Sequence, residues 1–244
     1  MIAAVDAQTL VDAVGLGAVY ALMAVGIGLV FGVLRLVNFA YGQLVMAGAY
    51  TLAFTSAWPA GASIAACFAV VLLLSLALER AVFRPLRTQS PAVMLVTTFA
   101  IAFLLQSIAL VLDIRDGTIG EAVGALGGLN QAVSVGGVDV RKVTLVAIAV
   151  AVVALGLLAL LLARTTVGLH MRAAAEDFGT ARMLGVRADR VIGSAVLLSG
   201  VLAATVAVIL TVQAPLVRPE FALKETIIVL VGVVAGGILS LIHI

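Results

Sequence analysis

Charge is scarce in this 244-residue chain: Asp, Glu, Lys and Arg make up 11% of it, where soluble domains carry about 25%. That shortage excludes an ordinary soluble domain, which needs polar side chains to cover its surface. Only two lysines are present, Lys142 and Lys224, followed by Val and Glu. The phosphate cradle G-x-x-x-x-G-K-[ST] is therefore absent, and no ATP hydrolysis by this chain itself is expected. One cysteine, Cys67, excludes an intrachain disulfide. The two histidines, His170 and His243, stand far apart without cysteines or carboxylates beside them, so no metal site is expected. Serines and threonines in the apolar runs lack a neighbouring base, so the chain reads as non-enzymatic and without a cofactor. The net charge is +2 and the pI about 9.0, yet the basic residues are scattered rather than gathered into a stripe, which argues against a nucleic-acid partner.

What is abundant is hydrophobic sequence, 64% of the chain, with a mean hydropathy of +1.30. Runs of about 20 apolar residues cross a hydrocarbon layer about 30 Å thick as helices. Seven such runs are expected: Leu10–Leu34, Phe39–Ala57, Gly61–Phe83, Ala92–Leu112, Val143–Ala163, Val191–Val212, and Thr226 onward. The second is short and rich in glycine. The fold class is an all-α polytopic membrane protein, a single domain over residues 1–238. The run interiors hold no charge; Asp12 and Glu79 fall near helix ends, where they are expected to reach the interface. This disfavours an ion-coupled carrier, which needs ionisable groups within its spans. The N-terminus has no basic residue before Arg35 and carries Asp6 and Asp12, unlike a cleaved signal, and reads as a retained first span.

Alternating through seven spans places Arg35, Arg80, Arg84, Arg87, Arg164, Arg172, Arg182, Arg187 and Arg190 on one side. The other side receives Arg115, Arg141, Lys142, Arg218 and Lys224, accompanied by acidic residues including Glu121. The richer side is the cytoplasm, which puts the N-terminus outside. Between Asp113 and Lys142 the alternating patch "QAVSVGGVDV" predicts a small hairpin.

The run Gly168–Ile192, "GLHMRAAAEDFGTARMLGVRADRVI", concentrates seven charged side chains. Met171, Ala174, Ala175, Phe178 and Ala181 share one face of a helix, with Arg172, Glu176 and Thr180 on another. Gly185 is placed to end that helix and Asp189 to cap the next span. An apolar face built of alanines suits close approach by a second protein better than insertion among lipid headgroups. A separate ATPase subunit docking on this cytoplasmic loop, residues 164–190, supplies the missing power source.

This run resembles the cytoplasmic loop of LivH-type permeases of ABC importers for branched-chain amino acids. The matching positions include Gly168, Arg172, Ala173, Ala175, Glu176, Asp177, Ala181, Leu184, Gly185, Asp189 and Arg190. "GAVYALMAVGIGLVFGVLRLVNFAYGQLVMAGAY" and "ERAVFRPLR" resemble the same family. The resemblance implies a permease in a bacterial inner membrane that pairs with a second related permease, ATPase subunits and a periplasmic substrate-binding protein, and passes an amino acid. ATPase coupling is then expected at Arg172, Ala173, Ala175, Glu176, Asp177, Ala181, Leu184 and Gly185. The family's N-F-A-H-G-E stretch reads here Asn38, Phe39, Ala40, Tyr41, Gly42, Gln43, with neutral side chains in place of a titratable pair. "IIVLVGVVAGGI", Ile227–Ile238, matches the family's glycine-rich stretch loosely.

Asn38, Phe39, Gly42 and Gln43 are expected on a gate or substrate path. The predicted topology sets them at the cytoplasmic end of the first span, which favours a gate over direct substrate contact; a tight turn with Asn38 capping the second span is the alternative. A urea or short-chain amide importer, a carrier or channel acting alone, and a membrane scaffold are the rival functions. The final "LSLIHI", residues 239–244, is what CTG TCT CTT ATA CAC ATC encodes, a transposon end used in sequencing libraries. The native chain is expected to depart from this sequence near Ile238 and to continue with further spans.

Overall fold

A computed structural model of the chain describes residues 7–34, 38–86, 89–116, 124–135, 138–214, 216–220 and 222–242. The helices are α1 (Ala7–Leu34), α2 (Tyr41–Phe54), α3 (Ala60–Leu78), α4 (Arg84–Leu86), α5 (Pro91–Asp116), α6 (Lys142–Arg164), α7 (Thr166–Glu176), α8 (Phe178–Met183), α9 (Ala188–Gln213) and α10 (Leu223–Ile242). Strands β1 (Ala132–Val135) and β2 (Val138–Arg141) pair antiparallel, Val133 opposite Val140. This is the hairpin expected from the alternating patch. Arg35, Arg87, Glu121, Asp6 and His243 lie outside the described residues, as does part of the 239–244 tail.

Among the described residues, five helices are long and apolar enough to cross a membrane: Gln8–Leu34, Ala60–Leu86, Ala92–Leu112, Lys142–Arg164 and Ala188–Gln213. The expected second span, Phe39–Ala57, is corrected. Helix α2 has 14 residues, about 21 Å at 1.5 Å per residue, too short for a hydrocarbon layer about 30 Å thick. Glu79 is a second correction. Rather than reaching outward it is buried, 8% exposed, where α3 passes into a π-helical turn, Glu79–Phe83. Such a turn admits an extra residue and redirects the side chains after it.

Helix α9 is the hub, with α1, α2 and α3 packed against it. Small residues let the backbones approach, the usual basis of helix association in lipid. A Cβ on Gly48 would stand 2.7 Å from the Ala207 Cβ, and one on Gly200 2.6 Å from the Ser75 hydroxyl. Ser199 Oγ donates to the Gly26 carbonyl at 2.7 Å, tying α9 to α1. Helices α5 and α6 keep Phe103, Leu104, Val152 and Leu157 exposed, faces fit for lipid or a neighbouring subunit.

The bundle has two different ends. At one, Gln8, Asp12, Arg141, Thr144 and Gln213 gather beside the hairpin. At the other, α7 closes over the ends of α1, α6 and α9 and α8 packs on α7, and Arg84 pairs with Asp189 at 3.3 Å. Both partners of that pair are exposed, so it adds little stability. Asp189 lies in the first turn of α9 and does not cap it; the N-cap is Arg187, which makes no side-chain cap.

Candidate functional site

The charged run folds as two short helices, not one. Thr165 caps α7 by accepting from the Gly168 amide at 3.1 Å. Gly168 is required here: a Cβ would come within 2.3 Å of the Leu162 carbonyl oxygen. The chain therefore turns sharply out of α6 with α7 pressed on its last turn. Asp177 then leaves helical geometry, with φ −145° and ψ 104°, and caps α8. Its Oδ1 accepts from the amides of Gly179 at 2.9 Å and Thr180 at 3.2 Å, and the Thr180 hydroxyl donates to its Oδ2. These bonds, the Thr180 hydroxyl first, hold the Asp177 carboxyl below its ordinary value.

Gly185 ends α8 as expected. Its φ is +90°, the Gly185 amide donates to Arg182 and the Val186 amide to Ala181, the paired bonds of a Schellman motif.

The alanine face points the other way from the sequence-based expectation. Met171 and Ala174 are buried in the chain's own core, with Phe178 packed against it, Ala181 is also buried, and Ala173 and Ala175 are half-buried. Small side chains serve here to seat α7 and α8 on the bundle. The outward surface holds Arg172, Glu176, Asp177 and Gly185, together with Met183 and Leu184, both 82% exposed. Next to it His170, Arg187 and Arg190 line a basic recess between α7 and α9. Met183 was not singled out from sequence; its exposure depends on where α8 stops.

The second region is the start of α2. Asn38, Ala40, Tyr41, Gly42 and Gln43 are buried and Phe39 half-buried, its ring set edge-on to Phe99 at 5.5 Å. Asn38 Oδ1 accepts from the Ala40 amide at 3.0 Å, a local turn that precedes the helix rather than capping it. The N-cap is Ala40, which makes no side-chain cap.

The depth of this turn corrects the predicted topology. The Tyr41 hydroxyl lies against Gly26, where a Cβ would be 2.3 Å from it. Gly26 is about two turns before the end of α1 and bonds Ser199 near the middle of α9. From there α2 climbs past Ala207 and delivers Thr55, whose carbonyl accepts from Ser63 Oγ at 2.6 Å at the start of α3. Helix α2 thus occupies half the bundle and begins inside it.

Helix α10 begins at the same place. A Cβ on Gly42 would be 2.5 Å from Thr226 Oγ1. Lys224 and Glu225, assigned from sequence to a loop on the N-terminal side, open α10 at this junction instead. The Tyr41 hydroxyl, Gln43 Oε1 and Thr226 Oγ1 are buried and make no hydrogen bond among the described residues, an arrangement that costs about 1–3 kcal/mol per group. Tyr41 and Thr226 escaped the sequence reading because nothing in their neighbours along the chain reveals an absent partner.

These features define an all-helical polytopic membrane protein, with a helical cap at one end and a helix start buried within. The chain belongs to a family of transporters: residues 9–244 match the family of branched-chain amino acid transport system permease components. It is similar to the high-affinity branched-chain amino acid transport system permease protein BraD of Pseudomonas aeruginosa, with 27% identity covering 96% of this chain and 80% of the relative. The corresponding LivH proteins of Salmonella typhimurium and Escherichia coli are 26% identical over the same shares. No solved structure matches the chain at a significant level.

Proposed function

We propose that the chain is the membrane-spanning permease subunit of an ABC importer for branched-chain amino acids. It receives its substrate from a periplasmic binding protein, works beside a second related permease, and is driven by separate ATPase subunits. The cargo follows the names of its relatives rather than the urea or amide alternative. The α7–α8 end faces the cytoplasm and the N-terminus the outside, in accord with Arg80, Arg84, Arg164, Arg172, Arg182, Arg187 and Arg190 on the capped side.

The observation that carries this reading is the construction of the α7–α8 corner. It is seated on the core by Met171, Ala174 and Phe178 and locked by Gly168 and the Asp177 cap. A partner's movement applied to Arg172, Glu176, Met183 and Leu184 would reach α1, α6 and α9 through α7, which touches all three. Ala173, Ala175, Ala181 and Gly185 set that surface's shape; Asn38, Phe39, Gly42 and Gln43 lie on the substrate path at the far end of the linkage. In reconstituted complexes, Glu176→Arg or Gly185→Pro should leave membrane insertion intact while ATP hydrolysis no longer drives uptake. Wild-type uptake by both variants would overturn the coupling assignment.

A further inference from the structure

Two helices start beside each other within the bundle, and three side-chain atoms in their first turns, the Tyr41 hydroxyl, Gln43 Oε1 and Thr226 Oγ1, make no hydrogen bond among the described residues. Thr226 is 3% exposed and its hydroxyl is aimed at Gly42, in the first turn of α2. Gln43, 2% exposed, and Tyr41, fully buried, belong to that same turn. The α2 N-cap residue makes no side-chain cap; the Tyr41 and Gln43 amides bond to the Asn38 and Ala40 carbonyls, and the aligned peptide dipoles still give the helix start its partial positive charge. Such a start, with hydroxyl donors beside it, is suited to a carboxylate. Two residues beyond Thr226, α10 borders an apolar groove of about 510 Å³ against α1, lined by Tyr20, Ala24, Val229 and Val233. The two hydroxyl donors and helix start at one end and an aliphatic trough alongside suit a carboxylate with an apolar side chain, the class to which the cargo proposed above belongs.

We propose that the α2–α10 junction is the substrate-recognition point of the path. On this assignment Thr226 donates its hydroxyl to the substrate carboxylate when α10 parts from Gly42, the Tyr41 hydroxyl, which lies against Gly26 of α1, donates to it as α10 also parts from α1, and the α1–α10 groove takes the side chain. The closed junction holds these groups unsatisfied, and the passing substrate satisfies them. This assignment rests on the permease reading above and adds the atoms that would meet the cargo.

The test uses the full-length permease in its assembled complex, in proteoliposomes supplied with leucine-loaded binding protein. Thr226→Val and Tyr41→Phe each remove an unpartnered buried hydroxyl with little change of shape. If these hydroxyls only pack, both variants raise thermal stability and leave uptake unchanged. If they meet the carboxylate, stability still holds or rises while uptake falls by about tenfold or more, the factor of one hydrogen bond to a charged group. Thr226→Ser, which restores the donor, should recover uptake. Normal uptake by both T226V and Y41F overturns the assignment alone. Wild-type complexes that import no branched-chain amino acid overturn the functional reading and this assignment with it. A variant that fails to assemble is replaced by Gly42→Ala, whose Cβ would push α10 off α2. It should make leucine-loaded vesicles leak without ATP, and tight G42A vesicles would count against the junction as a barrier.

Discussion

Gly168 and Gly185 do different work in the same run, and the difference is physical. At Gly185 the backbone itself demands glycine, because φ +90° crowds any Cβ against the following carbonyl. Gly185→Ala should therefore destabilise the corner by about 1 kcal/mol, a cost of conformation, measured as a lower thermal midpoint in detergent. At Gly168 the backbone of α6 demands it, since the nearest atoms are the Leu162 carbonyl and Cα rather than a flexible side-chain tip. Gly168→Ala should cost about 1–3 kcal/mol, the range for overpacking, and should shift α7, seen as altered crosslinking between α6 and α7. Gly185 was legible in the sequence, because a glycine after an amphipathic stretch followed by a new apolar run marks a helix end. Gly168 matched a pattern, but its reason was invisible until α6 and α7 were seen to touch.

Among the elements, α7–α8 and α2 departed most from expectation. Helical spacing of apolar residues continues from Met171 to Ala181 across the break at Asp177, so periodicity alone reads one rod. What interrupts it is the carboxylate, which accepts from two amides ahead of it. The cap predicts a pH dependence. The Asp177 carboxyl is depressed in the folded chain, so its stabilising contribution is fully present above the ordinary carboxylate value of about 4. It is lost as pH falls further, through the depressed folded value. Helix content of α8, followed by hydrogen exchange of Thr180 and Ala181, should decline on acidification below that point. Asp177→Ala should abolish the pH dependence and leave α8 frayed throughout. Helix α2 looked like a short span because its hydrophobicity is continuous with one; packing against α3, α5, α9 and α10 makes a half-length helix tenable inside the bundle.

At the scale of the molecule, an internally braced cap sits at one end and a buried helix junction near mid-depth, with α1 and α9 running between them. Both touch α7 at the cap and both meet at Gly26 and Ser199 beside Tyr41. Movement of the cap therefore has a short mechanical route to the α2–α10 junction. Met183→Asp with Leu184→Asp changes only side chains that are 82% exposed. The folded chain should keep its thermal midpoint, while co-purification of the ATPase subunits falls sharply. Retained ATPase at wild-type levels would place the docking surface elsewhere. Orientation is checked separately, with a single cysteine at Gln8 expected to react with an impermeant maleimide from outside intact cells and one at Arg172 only after permeabilisation.

Sequence by itself determined that the chain is helical and lives in a membrane, since run length and hydrophobicity answer to bilayer thickness without any knowledge of neighbours. It also located the α6–α9 connection as the charged exterior element, and the small hairpin before α6. Tertiary structure alone decided which way the alanines of that element face, how deep α2 begins, and that Glu79 is buried. It alone brought Thr226 against Gly42 and the Tyr41 hydroxyl against Gly26. Those properties depend on which helix lies beside which, and residues far apart in the chain become neighbours only when close packing brings them together.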